Sequence, residues 1–242
     1  MKTIFKILGL SLITLFFIQT TSASKPSFGW IKGSGKVISE TRNVSGFHGI
    51  DVGGAFEVIL IKSNQEKIVL EADDNLMPYI RTKVFGGILE IDNDKDFRNP
   101  TELKVSIYYK NLDRFDISGA ASVRGEDIIN AQSIELDASG ASEIQLKFNT
   151  ENFEGDMSGA SRLDLSGNAK NVKIEASGAS SFQALEFETI NCEIDASGAA
   201  VVRIWTVGKL SLEASGASSV RYKGNPSIDI ISISGASSVR KY

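Results

Sequence analysis

The sequence predicts an all-β protein, a solenoid of the right-handed parallel β-helix type with coils of about nineteen residues. Three observations lead to this prediction. The tetrapeptide Ser-Gly-Ala-Ser, or a near variant, occurs seven times; apolar and polar residues alternate on both sides of each copy; and no segment of this region has a helical period. The copies are spaced by 18 to 21 residues and begin at Ser118, Ser139, Ser158, Ser177, Ser197, Ser215 and Ser234.

The residues around each copy indicate two strands per repeat. Apolar side chains occupy every second position over residues 134–138, before the second copy, and again over residues 144–148, after it. A period of two residues is typical of a strand with one buried face. Each repeat is therefore predicted to contain a strand, a tight bend at Ser-Gly-Ala, a second strand and a second turn.

The residue types of the motif suit a bend. Glycine adopts a positive φ without a steric clash, and we expect the alanine after it to face a crowded interior corner. Gly53-Gly54-Ala55 and Gly86-Gly87 are interpreted as degenerate copies of the bend. A single coil cannot bury its own apolar face, whereas coils stacked at about 4.8 Å can. The signatures of hexapeptide helices, calcium-binding nonapeptide repeats and leucine-rich repeats are absent from the sequence.

The start of the chain resembles a secretory signal. Lys2 and Lys6 precede an apolar run over residues 7–18, which is too short to span a bilayer, and small residues follow it. Residues 1–23 are predicted to be a signal peptide cleaved after Ala23, with a retained anchor helix as the alternative and no membrane span after cleavage. A lipoprotein is not expected because the only cysteine, Cys192, lies far from this segment.

The rest of the chain is predicted to form one continuous domain. Residues 24–34 are expected to be a flexible lead, and residues 116–242 the repetitive solenoid. Residues 35–115 contain strand-like runs without the motif and are expected to form irregular coils or a cap, with one short helical turn over residues 73–79. Because the open edges of a solenoid invite strand pairing, self-association through these edges is also expected.

Several segments outside the repeats resemble a bacterial family. These are Gly33-Ser-Gly-Lys-Val, Arg42-Asn-Val-Ser-Gly-Phe, Ile50-Asp-Val-Gly-Gly-Ala-Phe-Glu-Val-Ile-Leu, Leu70-Glu-Ala-Asp-Asp-Asn-Leu-Met-Pro-Tyr-Ile and Gly87-Ile-Leu-Glu-Ile. They and the Ser-Gly-Ala repeats resemble the putative auto-transporter adhesin head domain, or GIN domain, over residues 33–242. The resemblance implies a β-helix-like fold and export in Gram-negative bacteria such as Bacteroidota. It supplies no catalytic residues, and nothing in the sequence resembles an auto-transporter's β-barrel translocator.

An acidic residue lies two positions before six of the seven motifs. If the coils are in register, these carboxylates form a row in which neighbouring charges repel by about 1 kcal/mol in water. Bound cations could offset the repulsion, as could Arg124, Arg203, Arg221 and Arg240, with Lys147 and Lys173 also nearby. A solvated outer face is the leading interpretation; weak divalent-cation binding and a carboxylate pair for glycoside cleavage are the alternatives. The acids are Asp116, Asp137, Asp156, Glu175, Asp195 and Glu213.

The remaining candidates are weaker, and we assign no catalytic residue, metal ligand or cofactor. His48 is the only histidine and has no partner motif, and Cys192 is expected to be a core residue. Trp205 is a candidate sugar-stacking residue. Residues 92–96 imitate the start of a calcium loop, but Phe97 replaces the glycine that such a loop requires, so a solvated turn is expected.

The sequence therefore predicts an exported, non-catalytic, adhesin-like binding protein. Its ligand could be a glycan, another protein or a second copy of the chain. Two alternatives are a polysaccharide lyase or hydrolase on a β-helix, and a periplasmic envelope-associated structural or regulatory partner. A net charge of −4 gives no basic excess for nucleic acid. We expect the protein in the periplasm, on the cell surface or secreted from a Gram-negative bacterium.

Overall fold

The structure, a computed structural model, describes residues 29–242. The predicted signal peptide over residues 1–23 and residues 24–28 of the predicted lead lie outside the described residues. Within the described part, eighteen strands and one turn of 3-10 helix are present. The helical turn, Met77–Tyr79, falls within the segment for which a short helical turn was expected.

The strands are short before Ser118, long over residues 122–214 of the repeats, and short again after residue 218. Each long strand runs from one bend, through the second corner of its coil, to the next bend. The strands are β1 Ile31–Lys32, β2 Val37–Arg42, β3 Gly49–Val52, β4 Glu57–Lys62, β5 Lys67–Asp73, β6 Ile80–Phe85, β7 Ile88–Asn93, β8 Phe97–Arg98, β9 Leu103–Tyr109, β10 Arg114–Ile117, β11 Ser122–Ala138, β12 Glu143–Met157, β13 Arg162–Ala176, β14 Ser181–Ala196, β15 Val201–Ala214, β16 Ser219–Lys223, β17 Ser227–Ile233 and β18 Ser238–Lys241.

Two parallel sheets run along the solenoid. The pre-bend sheet contains the strands that lead into each bend, in the order β7–β3–β10 and then the second halves of β11 to β15, followed by β17. The post-bend sheet contains the strands that leave each bend, in the order β9–β4, the first halves of β11 to β15, β16 and β18. The predicted β-solenoid is therefore confirmed, with about seven turns spaced by about nineteen residues.

The bends are stacked through their main chains. The N–H of the motif alanine donates to the carbonyl oxygen of the glycine one coil earlier, at 2.7–2.8 Å in all seven copies. Gly54 lies at the base of this stack, because its carbonyl accepts from Ala120 N–H at 2.7 Å. The interpretation of Gly53-Gly54-Ala55 as a degenerate bend is thus confirmed.

Two constraints make glycine necessary at the second position of the motif. The seven glycines have φ between 66° and 72°, in the left-handed region that other residues rarely adopt. A Cβ placed on any of them would lie only 2.4–2.8 Å from the carbonyl oxygen of the glycine below. A side chain here would therefore strain the backbone and break the ladder at the bend.

The expectation for the motif alanine was wrong. The third residue of the motif is exposed at the outer edge of the bend, and the fourth residue, such as Ala121 or Ser142, faces the interior and is 1% exposed. The inward alternation of the following strand, in which Val123 and Ile144 are buried, already begins at this fourth residue. Its small side chain fits the corner, and in two copies its hydroxyl donates to a carbonyl of the preceding coil, from Ser218 to Ala196 at 3.2 Å and from Ser237 to Ala214 at 3.0 Å.

Gly86-Gly87 was also misinterpreted. These residues form the two-residue turn of an antiparallel hairpin between β6 and β7, in which Phe85 is opposite Ile88. Both glycines have positive φ, which such a tight hairpin turn requires. On the other sheet, β5 pairs antiparallel with β9, and β2 with β5. Antiparallel strands therefore cover the N-terminal end of the solenoid.

The core is continuous along the solenoid. Phe115, Phe148 and Phe153 pack in sequence, with ring centroids 5.6 and 5.7 Å apart, and link the first regular coils. Cys192 is buried in this core, as expected, and burial raises the pKa of its thiol to about 12. The thiol therefore stays protonated at neutral pH and acts as a small apolar side chain.

Gly159→Ala tests the role of the stacked bends. The new methyl group meets the Gly140 carbonyl, and the backbone at this position has φ of 67°. We expect a loss of about 2–4 kcal/mol in the free energy of unfolding, from the left-handed backbone and the broken hydrogen bond. Urea unfolding followed by circular dichroism measures it. The control is Ala160→Ser, at the exposed neighbouring position; equal unfolding midpoints for the two variants contradict this account.

Candidate functional site

The six predicted acids lie in one row on the pre-bend sheet. Each is directly opposite the next on the neighbouring strand, so their order in space follows their order in the chain. Ser232 continues the row on β17, opposite Glu213. We call this row the carboxylate row. It exists because the four-residue bends and the parallel register keep the same position of every coil on the same line.

The carboxylate row is longer than the sequence analysis predicted. Asp51 on β3 lies opposite Asp116, and Glu90 on β7 lies opposite Asp51. Asp51 was detectable from the sequence, since it lies two residues before the degenerate bend that begins at Gly53. Glu90 has no bend motif after it, so only the sheet pairing reveals it. At this end Lys83 is opposite Glu90, with a 3.4 Å contact between Nζ and Oε2.

Three acids of the row have a raised pKa, first because they are partly buried and then because of the neighbouring charges. Partial burial is the largest cause for Asp137, and the charges of Asp116, Asp156 and Glu135 add to it, while Arg114 opposes them. The pKa of Asp51 is raised by partial burial and then by the charge of Asp116. The pKa of Asp156 is raised by partial burial and then by the charge of Glu175. Protonation of an acid in the carboxylate row therefore reduces the repulsion between neighbouring carboxylates.

Two basic residues of the same sheet offset part of this repulsion. Lys173 Nζ lies 2.8 Å from Glu175 and 2.9 Å from Glu154, and these hydrogen bonds raise the pKa of Lys173. Arg114 contacts Glu135 at 2.5 Å and Asp137 at 3.8 Å. Both residues lie on the outward column next to the carboxylate row, which is why they reach it.

The four arginines that were expected to offset the row are elsewhere. Arg203, Arg221 and Arg240 lie opposite one another on the post-bend sheet, and Arg124 occupies the same column nearer the N-terminal end. Arg203 donates to Gln183 at 2.7 Å rather than to an acid of the row. The expectation that these arginines offset the carboxylate row was wrong. They lie on the outer face of the post-bend sheet, whereas the row lies on the outer face of the pre-bend sheet. Lys147 likewise contacts Glu126, at 3.3 Å.

Two shallow grooves follow the pre-bend sheet. The acidic groove, about 290 Å³, lies between the carboxylate row and the first serines of the motifs. The amide groove, about 380 Å³, lies on the other side of the neighbouring column, which we call the Lys173 column and which contains Arg114, Glu135, Glu154, Lys173 and Glu193. An asparagine ladder forms part of it, since Asn171 donates to Asn152 and Asn191 donates to Asn171, both at 2.9 Å. This ladder was not predicted from the sequence, because asparagine recurs there in only three successive coils.

The other candidates have structural partners. His48 Nδ1 lies 2.7 Å from Asp113 Oδ1, and its ring packs against Gly87, so this pair holds the β6–β7 hairpin against the first coil. The acids of the turn at residues 92–96 form ion pairs with Arg81, which contacts Asp92 at 3.1 Å and Asp94 at 2.8 Å. Within residues 29–242, no cluster of three or more histidine, cysteine or acidic side chains has the arrangement of a metal site.

Trp205 offers little surface for a sugar. It is half-buried, and the Lys223 ammonium lies 3.9 Å from the centroid of its ring. Glu188 lies opposite Trp205 on the preceding strand. Neighbours on both adjacent coils therefore flank the indole, and Lys223 occupies one of the faces on which a sugar would stack.

The chain belongs to the family described as "Putative auto-transporter adhesin, head GIN domain", whose profile matches residues 46–226. Crystal structures with the same fold include a putative adhesin from Bacteroides fragilis, 20% identical, with a TM-score of 0.83. Others are a putative adhesin and a putative lipid binding protein from Parabacteroides distasonis, each 19% identical, with TM-scores of 0.73 and 0.70. Each comparison covers 88% of this chain and 100% of the other. At these identities the likeness shows the fold alone.

No curated protein matches the chain. Among the described residues, no helix has the length and apolar character needed to cross a membrane.

Asp137→Asn tests the repulsion within the carboxylate row. A raised pKa means that the folded state binds the proton more tightly than the unfolded state, so stability falls as pH rises through the interval between the two pKa values. We expect the variant to be more stable than the wild type at pH 7, by about 0.5–1 kcal/mol. This gain should disappear below about pH 4, where the acid is protonated in both states.

The measurement is the urea unfolding midpoint at pH 3.5, 5 and 7. Glu186→Gln, an exposed acid on the post-bend side of the same solenoid, is the matched control and should change little. A variant that is less stable than the wild type at pH 7 overturns the account, since it shows that the Arg114 contact outweighs the repulsion.

Proposed function

We propose that this protein is an exported, non-catalytic, adhesin-like binding module that uses its pre-bend sheet as the binding surface. The observation that supports the proposal is the repetition of outward side chains along this sheet, with an acid on eight successive strands and an asparagine on three. The carboxylate row, the Lys173 column and the asparagine ladder run side by side along the solenoid. Such a surface presents the same hydrogen-bonding groups at intervals of about 4.8 Å.

A surface of this kind suits an extended ligand, either a glycan chain or an extended protein segment. The amide groove combines the Asn152, Asn171 and Asn191 side chains with the charges of Lys173 and Glu193. Amides and charged groups donate to and accept from hydroxyls and peptide groups, and several weak contacts in a row add up along a repetitive ligand. The neighbouring carboxylate row repels polyanions, so nucleic acid is not an expected partner.

Catalysis is not part of the proposal. The carboxylate row contains many acid pairs at similar spacing, one on each pair of neighbouring strands. Glycoside cleavage needs one acid and one base on either side of a bound sugar, in a cleft that orients it. The acidic groove is shallow, and its lining repeats from coil to coil.

Family membership supports an extracellular or surface location. The family description names an adhesin, and two of the similar solved structures are described as putative adhesins. One is described as a putative lipid binding protein, but its likeness to this chain shows the fold alone. We propose export through the predicted signal peptide to the periplasm or surface of a Gram-negative bacterium. A periplasmic structural or regulatory role would use the same export and the same sheet.

Binding to arrays of glycans and envelope or host proteins tests the proposed surface. We expect the double variant Asn171→Ala, Lys173→Ala to lose at least about tenfold in affinity, because both residues line the amide groove; tenfold corresponds to about 1.4 kcal/mol. The control is Gln183→Ala, Arg203→Ala, a hydrogen-bonded pair on the post-bend sheet. Equal loss in both variants places binding elsewhere, and empty arrays together with a normal deletion strain reject the function.

Cell fractionation with surface proteolysis tests the location. An adhesin should be degraded when intact cells are treated with protease, whereas a periplasmic partner should be degraded only after the outer membrane is opened. A periplasmic marker protein that remains intact in the same sample is the control. Recovery of the protein in the cytoplasm with its first 23 residues still attached contradicts export.

A further inference from the structure

The coil formed by β17 and β18 exposes the row of side chains that is buried in every coil before it. Its inward isoleucines are 41–50% exposed, whereas the residues opposite them on β15 are 0–3% exposed. The opposed pairs are Leu210 and Ile228, Leu212 and Ile231, and Ala214 and Ile233. The difference arises because β17 covers the row on β15, while no strand of the described residues covers β17.

The strands of this coil also have one edge whose main-chain hydrogen-bonding groups are not paired with another strand of the described residues. Among the described strands, β17 pairs only with β15, and β18 only with β16. At the opposite end, antiparallel strands cover both sheets, with β6 next to β7 and β5 and β2 beyond β9. The two ends therefore differ, and an unpaired edge next to exposed apolar side chains favours strand addition at one end only.

We propose that the coil of β17 and β18 binds the same coil of a second copy of this chain about a two-fold axis. A two-fold contact brings together two identical patches, so each copy supplies the open edges and the apolar row that the other lacks. The covered opposite end does not offer a matching surface, which favours a closed dimer over a head-to-tail filament. The proposal does not depend on the ligand-binding function of the pre-bend sheet.

Charge selects one of the two possible two-fold arrangements. β17 contains Asp229, whose carboxylate also lies 3.2 Å from Lys209 Nζ of the same copy, and β18 contains Arg240 and Lys241. If β17 of each copy lies over β18 of the other, acid faces base in two equivalent places. If instead β18 lies over β18, Arg240 and Lys241 face their own copies and repel. We therefore assign the crossed arrangement, in which the paired strands run antiparallel because β17 runs towards the bend and β18 away from it.

The crossed arrangement has a consequence for the binding surface. A two-fold axis parallel to the strands turns the pre-bend sheet of one copy to the side opposite that of the other. The dimer then presents two pre-bend sheets that face in opposite directions, and it can contact two ligands at once. β17 contains a β-bulge: Leu210 pairs with Ile228 and Ser211 with Ile230, so Asp229 is the extra residue.

Sedimentation equilibrium of the protein purified after export, over micromolar to millimolar concentrations, tests the dimer. We expect the wild type to dimerise and Ile233→Lys to raise the dissociation constant at least about tenfold, because a charge enters the apolar row. Ile128→Lys is the matched control, since Ile128 is 54% exposed and lies at a corner far from this coil. Thermal melting checks that both variants are folded.

A charge exchange tests the crossed arrangement. Arg240→Glu with Lys241→Glu should weaken the dimer. Adding Asp229→Lys together with Lys209→Asp, which keeps the ion pair between β15 and β17, should restore it to within about threefold of the wild type. A wild type that stays monomeric at every concentration overturns the proposal. So does a dimer that Ile233→Lys leaves unchanged or that Ile128→Lys weakens equally. A dimer that depends on Ile233 but is not restored by the charge exchange overturns the crossed arrangement.

Discussion

The hydrogen bond between the motif alanine and the glycine one coil below is the interaction on which the rest of the structure depends. It keeps the ladder continuous through the bend, where a solenoid would otherwise lose pairing between its two sheets. The bond requires a left-handed residue without a side chain, because a Cβ would meet the carbonyl that accepts it. Each coil is thereby held in register with the next, from Gly54 to Gly235.

Register at the bend determines the chemistry of the surface. Once every coil repeats its position, any residue type that recurs in the sequence becomes a row in space, whether or not that row is favourable. The carboxylates repel, and Lys173 and Arg114 offset only part of the repulsion. The asparagines, in contrast, hydrogen-bond from coil to coil. The outer face of the pre-bend sheet therefore combines a row of acids that repel one another with a row of asparagines that stabilise the stacking. Both rows are consequences of the same register.

Much of the regular region was predictable, and the reasons for the errors are local. Seven bends, two strands per coil, the alignment of Asp116 to Glu213 and the burial of Cys192 all follow from fixed intervals and a period of two. The predicted inward orientation of the motif alanine was wrong because the alternation of buried residues starts at the fourth residue of the motif and not at the third. Gly86-Gly87 was wrong because two glycines are compatible with either a solenoid bend or a hairpin turn, and only the pairing of β6 with β7 decides between them.

The sequence by itself determined the repeating unit, because glycine, alternation and interval are local properties that every coil repeats. Only the tertiary structure determined which side chains are neighbours across the two sheets. Asp51 and Glu90 joined the carboxylate row through strands that carry no motif or only a degenerate one. Arg114 and Lys173 reach the acids while Arg203 and Arg221 do not, because the bend separates two sheets that are adjacent in sequence. Neighbours across a sheet are determined by the pairing of segments that are distant in the sequence. The spacing of residues along the chain therefore does not specify which acids a basic residue near a bend will contact.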